Sequence, residues 1–182
     1  MKELQIERIA YQWNNPAGMW VVLKEKRKQR RIPICIGHFE GAAILRGLEK
    51  LKLPRPFTHE LLGAALEQLG AKVKHIVLTD WKEENQTFYA AIVVESNGAT
   101  HRIDSRPSDA LALAVRNKVP IFAEEKLLEL GSKSNEEEAK SKQGKAKSKI
   151  VSIPPLVTLW PIESGSPPKP GNQRKKKSAG RA

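Results

Sequence analysis

Two aspartates and an arginine flank a predicted turn between a strand and a helix. Asp104 falls at the end of an alternating strand, and Asp109 falls in the first turn of the helix that follows. Arg106 lies between them, so the spacing predicts that all three side chains face one crevice. Such a group could bind a metal ion or a phosphate, but a carboxylate at a helix start also stabilises the helix without any chemistry. From spacing alone, capping and an internal salt bridge are the favoured interpretation.

Two further helix starts carry ionisable side chains. Glu40 lies in the first turn of a helix predicted over residues 39–51, and His59 and Glu60 open a helix predicted over residues 59–69. A histidine at a helix start is more often a surface or packing residue than a ligand. Its position nevertheless matches that of the acidic groups at the other helix starts.

Hydrophobic periodicity and turn residues predict the elements that position these groups. Asn97-Gly98 predicts a tight hairpin, because both residues accept positive φ. The body of the third helix, residues 110–115, is apolar nearly all round and must be buried on most sides. Strands are predicted over residues 3–11, 19–26, 30–37, 71–80, 86–95, 101–104 and 119–123, with a short closing helix over residues 124–130. This order predicts an α+β fold with a mixed, largely antiparallel sheet and three main helices.

The positive charge is concentrated at the C-terminal end. Residues 131–182 hold 12 of the 32 lysines and arginines but only 4 of the 20 acidic residues, which is +8 of the net charge of +12. Their polar composition cannot bury enough apolar surface to fold, so a domain over residues 1–130 is predicted to precede a disordered basic tail. An apolar, proline-punctuated segment at residues 150–162 interrupts this tail. This segment is predicted to dock on its own domain or on a protein partner, rather than to have no binding role.

Composition also predicts the cellular location of the protein. No signal-peptide pattern is visible, and no apolar run approaches the roughly 20 residues that span a bilayer, so a cytoplasmic protein without a membrane partner is predicted. The chain has one cysteine, Cys35, within an apolar run. Without a cationic neighbour to activate it, a buried structural thiol is predicted.

Several motifs resemble those of the bifunctional nuclease domain family. The most specific is the Asp-x-Arg-Pro-Ser-Asp-Ala core at residues 104–110. Residues 36–42, 55–62, 87–90 and 120–122 accompany it in the family's order and spacing. The resemblance covers residues 1 to about 130 and implies a compact α+β domain that forms homo-oligomers and acts on both DNA and RNA. The basic tail lies outside it.

The resemblance also implies roles for individual residues. The family's polar set falls on Glu40, His59, Glu60, Asp104, Arg106, Ser108 and Asp109. Asp104, Asp109, Glu40 and His59 are predicted to be catalytic; Arg106, Ser108 and Arg55 to bind substrate; and Asp104, Asp109 and Glu60 to bind a metal. This chain departs from the family at two positions, with Glu60 in place of the usual aspartate and Gly41 in place of the usual alanine.

This set fits metal-assisted hydrolysis of phosphodiester bonds. Carboxylate oxygens suit Mg²⁺ or Mn²⁺, which are therefore the predicted cofactors. An arginine would stabilise charge that develops on the phosphate, and a histidine could handle the proton. The first hypothesis is a nuclease that cleaves RNA and DNA with little sequence preference. The alternatives are a non-catalytic module that binds nucleic acid or a protein, and a small-ligand sensor that uses the same crevice.

Deleting everything after Gly131 should lower the affinity for long nucleic acid and flatten its salt dependence. Contacts between lysine or arginine and phosphate release counterions, with a slope near −0.9 per phosphate on duplex DNA. Turnover of a saturating short oligonucleotide should survive. Salt titrations of binding, with and without the tail, measure the difference. An unchanged slope would show that the tail's charge serves a partner other than nucleic acid.

Overall fold

A seven-stranded β-sheet is the frame of the protein. The computed structural model describes residues 1–11, 18–51 and 54–130. The predicted tail and its apolar segment lie outside the described residues. The strands are β1 (Lys2–Tyr11), β2 (Met19–Glu25), β3 (Arg31–Ile36), β4 (Ala71–Lys82), β5 (Thr87–Ser96), β6 (Ala99–Ser105) and β7 (Ile121–Ala123). The helices are α1 (His38–Leu48), α2 (Thr58–Gln68) and α3 (Pro107–Asn117), and residues 125–130 are also helical.

The strand order confirms the predicted fold class. The strands lie in the order β3-β2-β1-β7-β4-β5-β6, and every neighbouring pair is antiparallel except β4 and β7. The fold is therefore α+β with a mixed, largely antiparallel sheet, and β3 and β6 are its edges. The observed elements begin and end within three residues of the predicted positions. None of the described helices is long and apolar enough to cross a bilayer.

Two local features set the strand register. Asn97 and Gly98 have φ values of 51° and 75°, as the predicted hairpin between β5 and β6 requires. In β1 the pairing with β2 shifts between Ile6 and Arg8. An extra residue at this bulge allows Leu4 and Ile9, five positions apart, to be buried together, since regular alternation would place them on opposite faces.

One face of the sheet carries α3. Ile76 pairs with Ile121, and Ile121 pairs with Leu4. Leu4 and Ile121 lie beside Ala114 of α3 in one groove, which identifies the helical face. The five consecutive residues from Ala110 to Ala114 are at most 1% exposed, so the predicted burial of this helix on most sides is confirmed.

Gly41, where the resemblance implies alanine, lies where α1 meets this face. A β-carbon added at Gly41 would clash with the sulfur of Met19, the first residue of β2. The Met19 side chain therefore occupies the space that a β-carbon at position 41 would need. An alanine at position 41 would require the Met19 side chain to move.

Replacing Leu111 by alanine should destabilise the protein by about 2–5 kcal/mol, because this side chain is 0% exposed and its loss leaves a cavity. Leu61→Ala in α2 is the matched control. Leu61 is 59% exposed, so its truncation should change the free energy of unfolding by no more than about 0.5 kcal/mol. Urea denaturation measures both values. An equal loss at Leu61 would show that this side chain is covered in solution.

Candidate functional site

Four of the predicted site residues meet at the start of α3. The guanidinium of Arg106 donates to Asp109 through Nε at 2.7 Å and through Nη2 at 3.1 Å. Its Nη1 donates to Glu40 Oε1 at 3.2 Å. Nε2 of His59 lies 3.2 Å from Asp109 Oδ1. The starts of α1 and α2 thus contribute one group each, and the start of α3 contributes two, to an ion-paired cluster centred on Arg106 and Asp109. We call it the polar cluster.

The backbone at the start of α3 turns Arg106 toward its partners. Arg106 is the N-cap residue with an extended backbone, and Pro107 occupies the first helical position, where its missing N–H costs nothing. No side chain caps this helix, so the capping interpretation is wrong. The salt-bridge interpretation is confirmed, with Asp109 as the partner.

The electrostatics of the polar cluster favour ionised Asp109. Partial burial by itself raises the pKa of this carboxyl, but hydrogen bonds from Arg106 and His59 outweigh burial, and the pKa lies below its ordinary value. The same ion pair raises the pKa of Arg106. The Arg106 side chain is 66% exposed. Three of its five N–H groups donate hydrogen bonds to carboxylates, so two N–H groups remain available to a ligand at the surface.

Asp104 does not join this cluster. Ser105 pairs with Ala90 and Asp104 pairs with Ala91, so the two neighbours point to opposite faces of the sheet. Ala90 pairs with Leu78 on the helical face, and Asp104 is therefore exposed on the other face. The prediction that Asp104 shares a crevice with Asp109 is wrong, because strand alternation continues through position 104. A catalytic role for Asp104 stays a prediction that its position does not support.

Glu60 belongs to a separate, structural arrangement. Its Oε1 accepts a short hydrogen bond from Nε of Arg116, and its Oε2 accepts the N–H of Phe57 at 3.1 Å. The Arg116 side chain is only 10% exposed and also donates to the carbonyls of Ala112 and Ala43. Arg116 therefore joins all three helices. Sequence reasoning missed this residue, although a basic residue directly after the apolar run at residues 110–115 was a usable signal.

The carboxylates do not assemble into a metal site. No three His, Cys, Asp or Glu side chains are placed to hold an ion within residues 1–11, 18–51 and 54–130. Both oxygens of Asp109 and both oxygens of Glu60 already accept hydrogen bonds, and Asp104 is on the other face. The predicted three-carboxylate ligand set does not fit this geometry, so no chemical step is assigned to a metal ion. Dependence on Mg²⁺ or Mn²⁺ stays a prediction.

The remaining predicted residues lie around the polar cluster. Ser108 is buried and, together with Arg106, lines a cavity of about 400 Å³ between β3, the β4–β5 hairpin and the starts of α1 and α3. We call this space the edge cavity. Arg55 is exposed in the connector before α2, and its predicted role in substrate binding stays a prediction.

The predicted burial of Cys35 is wrong. This residue is exposed and lines the edge cavity, whereas a buried thiol was predicted. The strand β3 places Ile32, Ile34 and Ile36 on the buried face, and Cys35 alternates to the other. Since β3 is an edge strand, its outward side chains have a neighbouring strand on one side only.

Comparison with known proteins identifies the family. A family model described as the bifunctional nuclease domain matches residues 21–136. The chain belongs to the bifunctional nuclease domain family. The resemblance inferred from the sequence motifs is thereby confirmed.

Individual relatives of this chain include uncharacterized bacterial proteins and plant proteins named bifunctional nucleases. An uncharacterized protein of Mycobacterium tuberculosis is 36% identical over 121 residues, which is 66% of this chain and 69% of the relative. Bifunctional nuclease 1 of Oryza sativa subsp. japonica is 28% identical over 105 residues, and that of Arabidopsis thaliana is 24% identical over 93 residues. The matched regions cover 56% and 50% of this chain but only 31% and 28% of the plant proteins.

Glu60→Gln should lower the free energy of unfolding by about 1–2 kcal/mol at neutral pH, because Arg116 loses a charged partner whose side chain is 35% exposed. Burial alone raises the pKa of Glu60, but Arg116 and backbone hydrogen bonds bring it below its ordinary value. A carboxyl group whose pKa is lowered on folding stabilises the protein at pH values above its ordinary pKa. That stabilisation disappears as the pH falls through the lowered pKa.

The difference between wild type and Glu60→Gln should therefore shrink on acidification, as measured by urea denaturation at stepped pH. Glu67→Gln is the control, because Glu67 is an exposed glutamate of the same helix. A Glu60→Gln effect that is constant down to strongly acidic pH would contradict the ionic contribution of Glu60.

Proposed function

We propose that this bifunctional nuclease domain hydrolyses phosphodiester bonds in RNA and DNA with little sequence preference. The observation that carries this proposal is the contact between His59 and Asp109 directly beside the exposed guanidinium of Arg106. A proton-handling group and a phosphate-binding group thus share one carboxylate. The plant relatives named bifunctional nucleases support the same reaction class.

Arg106 is the phosphate-binding group of the proposal. Its planar guanidinium suits the oxygens of a phosphate, and Asp109 and Glu40 hold it in place from one side. Two N–H groups remain for the substrate. As the phosphorus is attacked, negative charge grows on its oxygens, and a fixed cation stabilises that charge most in the transition state.

His59 is the proton acceptor of the proposal. Its Nε2 is held by Asp109, and within the described residues its Nδ1 has no hydrogen-bond partner. A water oxygen forms the new bond to phosphorus, its proton passes to His59, and the bond to the leaving oxygen breaks. The leaving oxygen takes up a proton from water or from His59. Asp109 orients the imidazole and stabilises its cationic form.

The same contacts would also suit a non-catalytic module. Both oxygens of Asp109 are occupied by His59 and Arg106, as in a junction that only stabilises three helix starts. Such a module would still bind nucleic acid through Arg106 and the basic tail. Turnover by the purified protein, compared among variants, separates the two functions.

His59→Gln should lower kcat on single-stranded RNA and DNA by about 10²- to 10⁴-fold, the usual contribution of a general base. Asp104→Asn is the matched control and should keep most of the activity, because Asp104 is on the other face of the sheet. Single-turnover assays should be run with Mg²⁺, with Mn²⁺ and with chelator, because metal dependence is a separate question.

Loss of activity in Asp104→Asn with activity retained in His59→Gln would contradict the proposed site. Equal activity in all variants, eluting apart from the protein on a sizing column, would indicate a contaminant and favour the non-catalytic module.

A further inference from the structure

The edge cavity is a feature of the structure that the proposed hydrolysis leaves unexplained. Its volume of about 400 Å³ falls within the usual range of small-molecule pockets, about 300–1,000 Å³. It opens at the unpaired edge of the sheet, between β3 and the β4–β5 hairpin. The polar cluster borders it, because Arg106 and Glu40 line it as well.

Aromatic side chains form much of its wall. Trp81 and Phe88 are directly opposite each other in the β4–β5 pair, and their ring centroids are 4.5 Å apart with an interplanar angle of 53°. Trp20 of β2 contributes a third ring. Two of the four tryptophans of the chain therefore line one cavity, and the other two lie outside the described residues. All three rings are partly exposed, so each keeps surface for a ligand.

The cavity thus combines aromatic rings with a cation that has unused donors. A nucleotide has the matching chemistry, since it joins a flat base to a phosphate. Bases stack on aromatic side chains with little regard to sequence, as a nuclease of broad preference requires. A base inside a duplex is already stacked and paired, so only an unpaired or extruded base could enter.

We propose that the edge cavity is a subsite for an unstacked nucleobase, whose phosphate lies on Arg106. Trp20, Trp81 and Phe88 provide the stacking surface, and the preferred substrate is single-stranded. This inference rests on the proposed nuclease function for the phosphate position, but base binding can be measured without any cleavage.

Cys35 provides a probe of occupancy, because it is the only cysteine of the chain and lines the edge cavity. Its alkylation by iodoacetamide should be followed by mass spectrometry in the full chain. A phosphorothioate thymidine tetranucleotide should slow alkylation several-fold. An abasic tetramer with the same phosphates should not, and a blunt duplex of the same strand length should protect less than the single strand.

Substitutions test the stacking surface directly. Trp81→Leu should weaken binding of the thymidine tetramer about 5- to 150-fold, the range found when a stacking aromatic is removed. Trp81→Phe keeps an aromatic face and should retain most of the affinity. Phe39→Leu is the control, because Phe39 is 89% exposed on α1 but does not line the cavity. Phe88→Leu repeats the test if Trp81→Leu unfolds.

The outcomes separate the subsite from the reaction. Equal protection by the thymidine and abasic tetramers, or equal losses in Phe39→Leu and Trp81→Leu, would overturn the base subsite. Base-dependent protection without cleavage of an ordinary oligonucleotide would support the subsite and overturn the nuclease proposal. Cleavage without base-dependent protection would overturn the subsite alone.

Discussion

The buried guanidinium of Arg116 is the constraint on which the arrangement of the helices depends. It lies among α1, α2 and α3 and donates to Glu60, Ala112 and Ala43. A cation removed from water must find hydrogen-bond partners for its donors, and removing the partner of a buried charge destabilises the fold. Arg116, in the last turn of α3, therefore joins this helix to the start of α2 and to the middle of α1. Glu60 positions its neighbour His59 at Asp109 through this same contact.

Arg106 is the surface counterpart of Arg116. It connects the polar cluster to the edge cavity, so the groups proposed for phosphate binding and for base stacking share one side chain. Its side chain is 66% exposed, and an exposed ion pair contributes little to stability. By contrast, two arginines of the β2–β3 hairpin are paired internally, Arg30 with Glu25 and Glu125 and Arg31 with Glu7.

Most of the fold could be predicted from local patterns. Alternation located the strands, Asn97-Gly98 located a hairpin, and the apolar composition of α3 indicated a helix buried on most sides. The end of one helix was predicted less accurately than its beginning. The helix predicted over residues 39–51 ends at Leu48, because Lys50 adopts a left-handed conformation that no strong local signal announces.

The sequence by itself determined the fold class, the family and the concentration of ionisable groups at helix starts, because periodicity, turn chemistry and motifs are local. Only the tertiary structure decided which of those groups meet. Asp104 and Asp109 are close in sequence yet lie on different faces of the sheet, whereas His59 and Asp109 are 50 residues apart and touch. Glu60 likewise pairs with Arg116, which lies on a different helix. The partners of a side chain depend on how separate elements pack, whereas sequence spacing describes only one element at a time.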